Sequence, residues 1–444
     1  MLEAGLMIIA LMVLSLIIQE KIRIPLPITL IVTVSLLAHF NIHPININDD
    51  GFDHLLLFLL PLLLMGDVMQ LKTEDLKDNW LSVMSTAGIA VTLSVFAGVL
   101  LQPIMLPNYA LSVPAMIALM SMVIATDPVT VASIFSTTKL PHKLKFLAES
   151  ESLFNDVSAF AIFTIAITLM SQPMTTSEII TSFSISTGGA LLSGVIVGII
   201  GMYLLKLSDD PITETGILLI IAYSALLIAE HFHFAGIFAI VVSMVLANSL
   251  INSDEPFVGE TEPNIADRKP MSQFSSRQSL KKNPPTDLPN FLSLKHLKAT
   301  KKNRTIILGF IGFAALFANV ILFVSISEMI NLTLLSLYWR EILSVFVVTT
   351  FIRGMMMGQF AWISNKTDKM QNITTDWWII LTFAGVKGGL SILMVHMIPD
   401  AFEFKTLFEA IVIGNIILSI FIYSPLMMLT IKLRQAHLIA NTPH

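Results

Sequence analysis

Residues 125–167 read ATDPVTVASIFSTTKLPHKLKFLAESESLFNDVSAFAIFTIAI. Asp127-Pro128 interrupts one apolar run, and Glu149 to Asp156 opens the next. An ionised side chain at mid-membrane costs about 2.5–3.5 kcal/mol on the insertion scale, so its presence points to function. The reading of this stretch depends on whether the chain lives in lipid.

Composition answers that question. The chain has 444 residues, of which 55% are hydrophobic and 13% charged, and a mean hydropathy of +0.79. A soluble domain averages about 25% charged residues. Apolar runs long enough to cross a hydrocarbon core of about 30 Å recur from Leu2 to Leu433. They are continuous rather than alternating, which excludes a barrel. The fold class is therefore an all-α polytopic membrane protein. The net charge of -5 gives no sign of nucleic-acid binding, and the absence of cysteine excludes disulfides and thiolate metal sites. The amino terminus has no basic region before its apolar run and no cleavage signal. Leu6 to Ile18 therefore reads as part of a retained first span.

About 13 spans are predicted, at 2–19, 25–41, 53–71, 80–103, 113–137, 143–170, 178–206, 212–230, 234–251, 304–327, 333–358, 374–398 and 404–432. Lys and Arg collect in alternate connections, among them Lys21 with Arg23, Lys139 with Lys143 and Lys145, and Lys432 with Arg434. Such connections mark the cytoplasmic side, which puts the N-terminus outside and the C-terminus in the cytoplasm of a cell membrane. The predicted organisation is a membrane domain over 1–252, a linker over 253–303 and a second membrane domain over 304–444. The linker is rich in Pro, Ser and Lys and too poor in apolar residues to bury a core, so it reads as a disordered cytoplasmic segment.

The opening stretch can now be read. Pro128 has no N–H for the carbonyl of Ile124, and its ring pushes Asp127 out of helical geometry. The fifth span should therefore open around Thr126-Asp127. Non-helical backbone survives at membrane depth only where protein or a water cavity surrounds it. In the sixth span, Ser152 and Asp156 share one helix face, and Glu151 and Asn155 share the adjacent one. Glu149 sits about 10 Å nearer the cytoplasm than Asp156 at 1.5 Å per residue. Carboxylate, hydroxyl and carbonyl oxygens suit a hard cation. Arg353, at the end of the eleventh predicted span, is a candidate partner for a carboxylate, which a guanidinium holds with two bonds. The twelfth span contains 381-LTFAGVKGGLSILMV-395, where Gly385, Gly388 and Gly389 surround Lys387. Glycine at this density predicts a second discontinuous helix. Two interrupted spans seven apart run in opposite directions, as in inverted-repeat transporters.

The combination of T-D-P, E-S-L-F-N-D and G-V-K-G-G-L-S resembles the monovalent cation/proton antiporter superfamily, in particular NhaP-type sodium–proton antiporters and the related animal exchangers. The resemblance covers nearly all the membrane part and omits 253–303. It implies an inverted-repeat antiporter fold with a cation site on Asp127, Ser152, Asp156 and the backbone of Thr126. It also implies that Asn155 supports the site and that Glu151 pairs with Arg353. One position departs from the pattern: relatives usually show Gly-x-Arg-Gly where this chain has Gly385-Val386-Lys387-Gly388. Lysine keeps the charge and loses the planar fork.

The implied function is electroneutral exchange of sodium, or another monovalent cation, for protons. Proton and cation compete at Asp156, and access alternates as one bundle moves against another. Asn155 in place of a second aspartate resembles the family's mark of electroneutrality. The implied partners are a monovalent cation, a proton, the bilayer and a second copy in a homodimer. No catalytic residue and no cofactor beyond the transported ions is expected. Potassium–proton exchange uses the same ligands and is the alternative. A channel would need a continuous polar pathway, whereas the polar residues here concentrate at mid-depth. An enzymatic metal site on Glu230, His231 and His233 is disfavoured, because i, i+2 spacing does not bring two imidazoles together on a helix.

Overall fold

A computed structural model describes residues 2–22, 24–40, 42, 49–136, 138, 140–172, 175–208, 210–252, 301–367 and 370–440. Regular structure among these residues is helical. Inside a bilayer the backbone has no water to bond, so a helix is the form in which an apolar run satisfies itself. The principal helices are α1 (Leu2–Ile22), α2 (Leu26–His39), α3 (Asp49–Gln70), α4 (Trp80–Leu100), α5 (Val113–Ile124), α6 (Pro128–Ser136), α7 (His142–Ser171), α8 (Thr176–Leu205), α9 (Pro211–His231), α10 (Gly236–Asn252), α11 (Lys301–Glu328), α12 (Trp339–Lys366), α13 (Thr375–Phe383), α14 (Gly389–His396) and α15 (Lys405–Ala440). Among the described residues, nine helical segments, α5 with α6 counted as one, are long and apolar enough to cross a membrane. Leu26–His39, Leu57–Gln70 and Gly236–Ile251 are shorter apolar stretches.

Local chemistry sets several boundaries. Ser112 accepts from the Ala115 N–H to cap α5, and Thr374 caps α13 through the Trp377 N–H. Thr175 and Glu178 form a reciprocal capping box at the start of α8. Pro128 stands first in α6, where its missing N–H costs nothing.

The predicted spans fall on these helices with one clear displacement. The eleventh, predicted at 333–358, is in fact two helices. Asn331 accepts from the N–H groups of Thr333 and Leu334 and starts a short helix, Leu332–Leu337, and α12 then begins at Trp339. Arg353 accordingly lies inside α12 rather than at the end of a span. Residues 253–300 of the predicted linker lie outside the described residues, and the next three open α11.

The helices sort into two groups by their packing. In one, α8, α9 and α10 pack together, and α3 packs against α10 and α11, with α1 and α2 alongside. In the other, α5 packs on α4 and α7, α12 and α13 pack on α15, and α14 meets α5. Both interrupted helices, α5–α6 and α13–α14, belong to the second group.

Candidate functional site

The breaks occur where the sequence predicts them. Ala125–Asp127 separates α5 from α6, and Ala384–Gly388 separates α13 from α14. The two non-helical segments cross. The Asp127 N–H donates to the Val386 carbonyl at 2.7 Å, which joins the two interruptions through their backbones. The crossing is tight enough to require glycine. A β-carbon at Gly388 would collide with Asp127, and one at Gly385 would collide with the Arg353 guanidinium.

α7 presents its polar cluster to this crossing. Asp156 Oδ1 accepts from the Thr126 N–H at 2.7 Å. Thr126 Oγ1 lies 2.9 Å from Ser152 Oγ. Asn155 Nδ2 donates to the Ile124 carbonyl and to Thr126 Oγ1, both at 3.2 Å. A helix that stops at residue 124 leaves carbonyls without intrahelical partners, and Asn155 satisfies one of them. Thr126, Ser152, Asn155 and Asp156 are all buried.

Asp127 does a different local job. Its carboxylate accepts from the N–H groups of Val129 and Thr130, at 3.3 and 3.2 Å, and from the Thr130 hydroxyl. It therefore caps α6, where a negative charge also meets the positive end of the helix dipole. Asp127 and Asp156 share the wall of a cavity of about 40 Å³ with Thr126, Asn319 and Asp67. Asp67, on α3, and Thr130 received no role from the sequence. The signal for Asp67 was present, since it is a carboxylate at the end of the apolar run 55-LLLFLLPLLLMG-66.

The remaining predicted residues stand behind the crossing. Arg353 holds Glu151 with two bonds, Nη1 to Oε1 at 3.1 Å and Nη2 to Oε2 at 2.9 Å. The same guanidinium donates to the carbonyls of Leu381 and Thr382, at 3.1 and 3.0 Å, next to the second break. The Lys387 N–H donates to Ser419 Oγ at 2.9 Å. Both Arg353 and Lys387 are buried. A wider cavity of about 440 Å³ includes Gly66 and Gln70 of α3 and is lined further out by Asp75, His142, Lys145 and Glu149.

Crossed interruptions with carboxylates and freed backbone between them are the site architecture of secondary transporters. The sequence model of the family "Sodium/hydrogen exchanger, transmembrane" matches residues 7–257, and the chain belongs to that family. It is 27% identical over 418 residues to the low-affinity Na⁺/H⁺ antiporter NhaS1 of Synechocystis, covering 90% of this chain and 68% of that protein. It is 27% identical over 383 residues to the Na⁺/H⁺ antiporter ApNhaP of Aphanothece halophytica, covering 85% of this chain and 63% of that one. The chain thus spans roughly two thirds of these relatives' length. Its fold is similar to that of the sodium proton antiporter MjNhaP1 from Methanocaldococcus jannaschii, with a TM-score of 0.70 over 96% of this chain and 99% of that one. At 17% sequence identity this likeness speaks for the fold.

Proposed function

We propose that this chain exchanges sodium, or another small monovalent cation, for protons, one for one, at Asp156. One observation carries the reading. Among the buried carboxylates of α7, Glu151 is neutralised by Arg353. Asp156 accepts instead from a neutral N–H, and among the described residues it forms no ion pair. A buried carboxylate without a fixed cation needs a mobile one, and a proton or a metal ion meets that need. Ser152, Thr126 and Asp127 supply further oxygens around the same point, and Asp67 adds a third carboxylate to the cavity. Family membership and the antiporter names of the relatives support the same direction of inference.

Competition for one carboxylate couples the two fluxes without further machinery. A cation cannot occupy Asp156 while the proton remains, and one-for-one replacement leaves the charge of the moving unit constant. Turnover is then insensitive to voltage, which would otherwise act at about 2.3 kcal/mol per charge per 100 mV. The group containing α5, α6, α7, α13 and α14 carries the site. Its movement against the group built on α3 and α8–α11 exposes each side in turn, the 440 Å³ cavity being the route to the Lys-rich side. The same proposal places the chain as a homodimer in the cell membrane with its N-terminus outside.

The test is proton flux in proteoliposomes under imposed Na⁺, K⁺ and Li⁺ gradients, with and without valinomycin. Sodium-driven flux that valinomycin leaves unchanged is expected, and Asp156→Asn should abolish it. Full exchange by folded Asp156→Asn protein would remove Asp156 from the mechanism. Flux driven by potassium in preference to sodium would reassign the cation.

A further inference from the structure

A smaller space borders the crossing, and no residue that lines the 40 Å³ cavity lines it. It measures about 20 Å³, and Thr86, Ser94, Glu151, Asn155, Arg353 and Lys387 line it. One water needs about 10–15 Å³, so the space has room for one. Its charge disfavours a cation, since Arg353 and Lys387 outnumber Glu151.

Most of the lining groups are satisfied within the protein. Glu151 and Arg353 hold each other. The hydroxyls of Thr86 and Ser94 donate to the carbonyls of Ser82 and Ala90. Asn155 differs. Its Nδ2 is committed to Ile124 and Thr126, which fixes the amide's orientation and leaves Oδ1 as an acceptor. Among the described residues that oxygen has no hydrogen-bond partner, and its residue is only 1% exposed. An acceptor so placed costs about 1–3 kcal/mol if nothing reaches it. Lys387, a residue 4% exposed, lines the same space and carries a donor. The backbone around Lys387 is anchored independently, by its own N–H on Ser419 and by the Val386 carbonyl on Asp127. The fold of the break therefore does not depend on a bond from the Lys387 side chain to its own backbone.

We propose that one water in this space links Lys387 Nζ to Asn155 Oδ1, and that Lys387 is thereby a positioning residue for the cation site. The link continues through Asn155 Nδ2 to Thr126 Oγ1 and on to Ser152. A side chain of the second interrupted helix thus sets the oxygens around Asp156 without touching the cation. This inference rests on the reading of Thr126, Ser152 and Asp156 as that site.

The test compares Lys387→Met and Lys387→Arg with the parent protein in proteoliposomes, with Asp156→Asn alongside. Lys387→Met should weaken apparent cation affinity about tenfold, more than it slows the saturated rate, because an orphaned Asn155 amide no longer holds Thr126. Lys387→Arg should restore most of the affinity. Unchanged affinity in folded Lys387→Met, or a loss that Arg does not restore, overturns the link. If Asp156→Asn still exchanges, the cation-site reading falls and takes the inference with it. If Asp156→Asn is inactive while Lys387→Met keeps its affinity, the inference alone falls. Should Lys387→Met fail to fold, a map of the parent protein that shows ordered waters decides. A single water within hydrogen-bond distance of both Nζ and Oδ1 supports the link. Direct contact between the two atoms, or an Oδ1 with no water, overturns it.

Discussion

Glu151 and Asp156 lie little more than a turn apart on α7, and their surroundings give them different work. Glu151 is locked to Arg353, which also ties down two carbonyls at the second break. Removing either partner leaves one uncompensated buried charge, which typically costs about 3–5 kcal/mol. Glu151→Gln and Arg353→Ala should both lower the melting temperature in detergent, and two variants that melt like the parent would show that the pair bears no such load. Asp156 should announce itself through pH. Falling pH adds protons to the carboxylate, and each must leave before a cation enters. Apparent cation affinity should then weaken about tenfold per pH unit below the pKa of the site, with the saturated rate nearly constant. Cation titrations at several pH values check this, and a constant affinity with a pH-dependent maximum would point to a sensor elsewhere. The α7 cluster was legible because helical spacing alone groups Ser152 with Asp156 and Glu151 with Asn155. The pairing of Glu151 with Arg353 was not, since 202 residues separate the partners and position alone made Arg353 an ordinary charge near a helix end. That pairing came from family resemblance.

At the scale of the element, the two interruptions were readable for different reasons. Pro128 removes a hydrogen bond and bends its predecessor, which is local chemistry. Glycines around Lys387 only permit a break, and what makes them necessary is the partner segment. Gly388 faces Asp127 with no room for a β-carbon. Gly388→Ala should therefore push the two segments apart, at a cost of about 1–3 kcal/mol for overpacking. The expected result is a lower melting temperature together with a loss of most exchange. Parent-like transport and melting in this variant would show that the crossing does not require glycine. The role of Asp127 as a cap for α6 could not be read from an isolated T-D-P, because capping depends on where the helix restarts. The misplaced eleventh span has a similar cause. Asn331 can begin a helix, and only the turn at Tyr338 reveals that the helix it begins is a short one.

At the scale of the molecule, two groups of helices account for the fold, and the candidate site lies where they meet, with Asp127 and Asp156 from one and Asp67 and Asn319 from the other. Between 257 and 298 the sequence is rich in Pro, Ser and Lys and poor in apolar residues. Deleting most of it should leave exchange measurable in proteoliposomes, and complete loss of activity in a correctly inserted deletion variant would show that the segment has a structural role. The bonds that build the site also have an order in time. Glu151 and Asp156 leave the ribosome long before Arg353, and Asp127 long before Val386, since chains are made from the N-terminus. For that interval the unfinished protein holds several carboxylates in the membrane with neither a guanidinium nor a crossing strand to meet them. Quality control that watches for misplaced charge has its best opportunity then, and a chain truncated before residue 353 would remain in that vulnerable condition permanently.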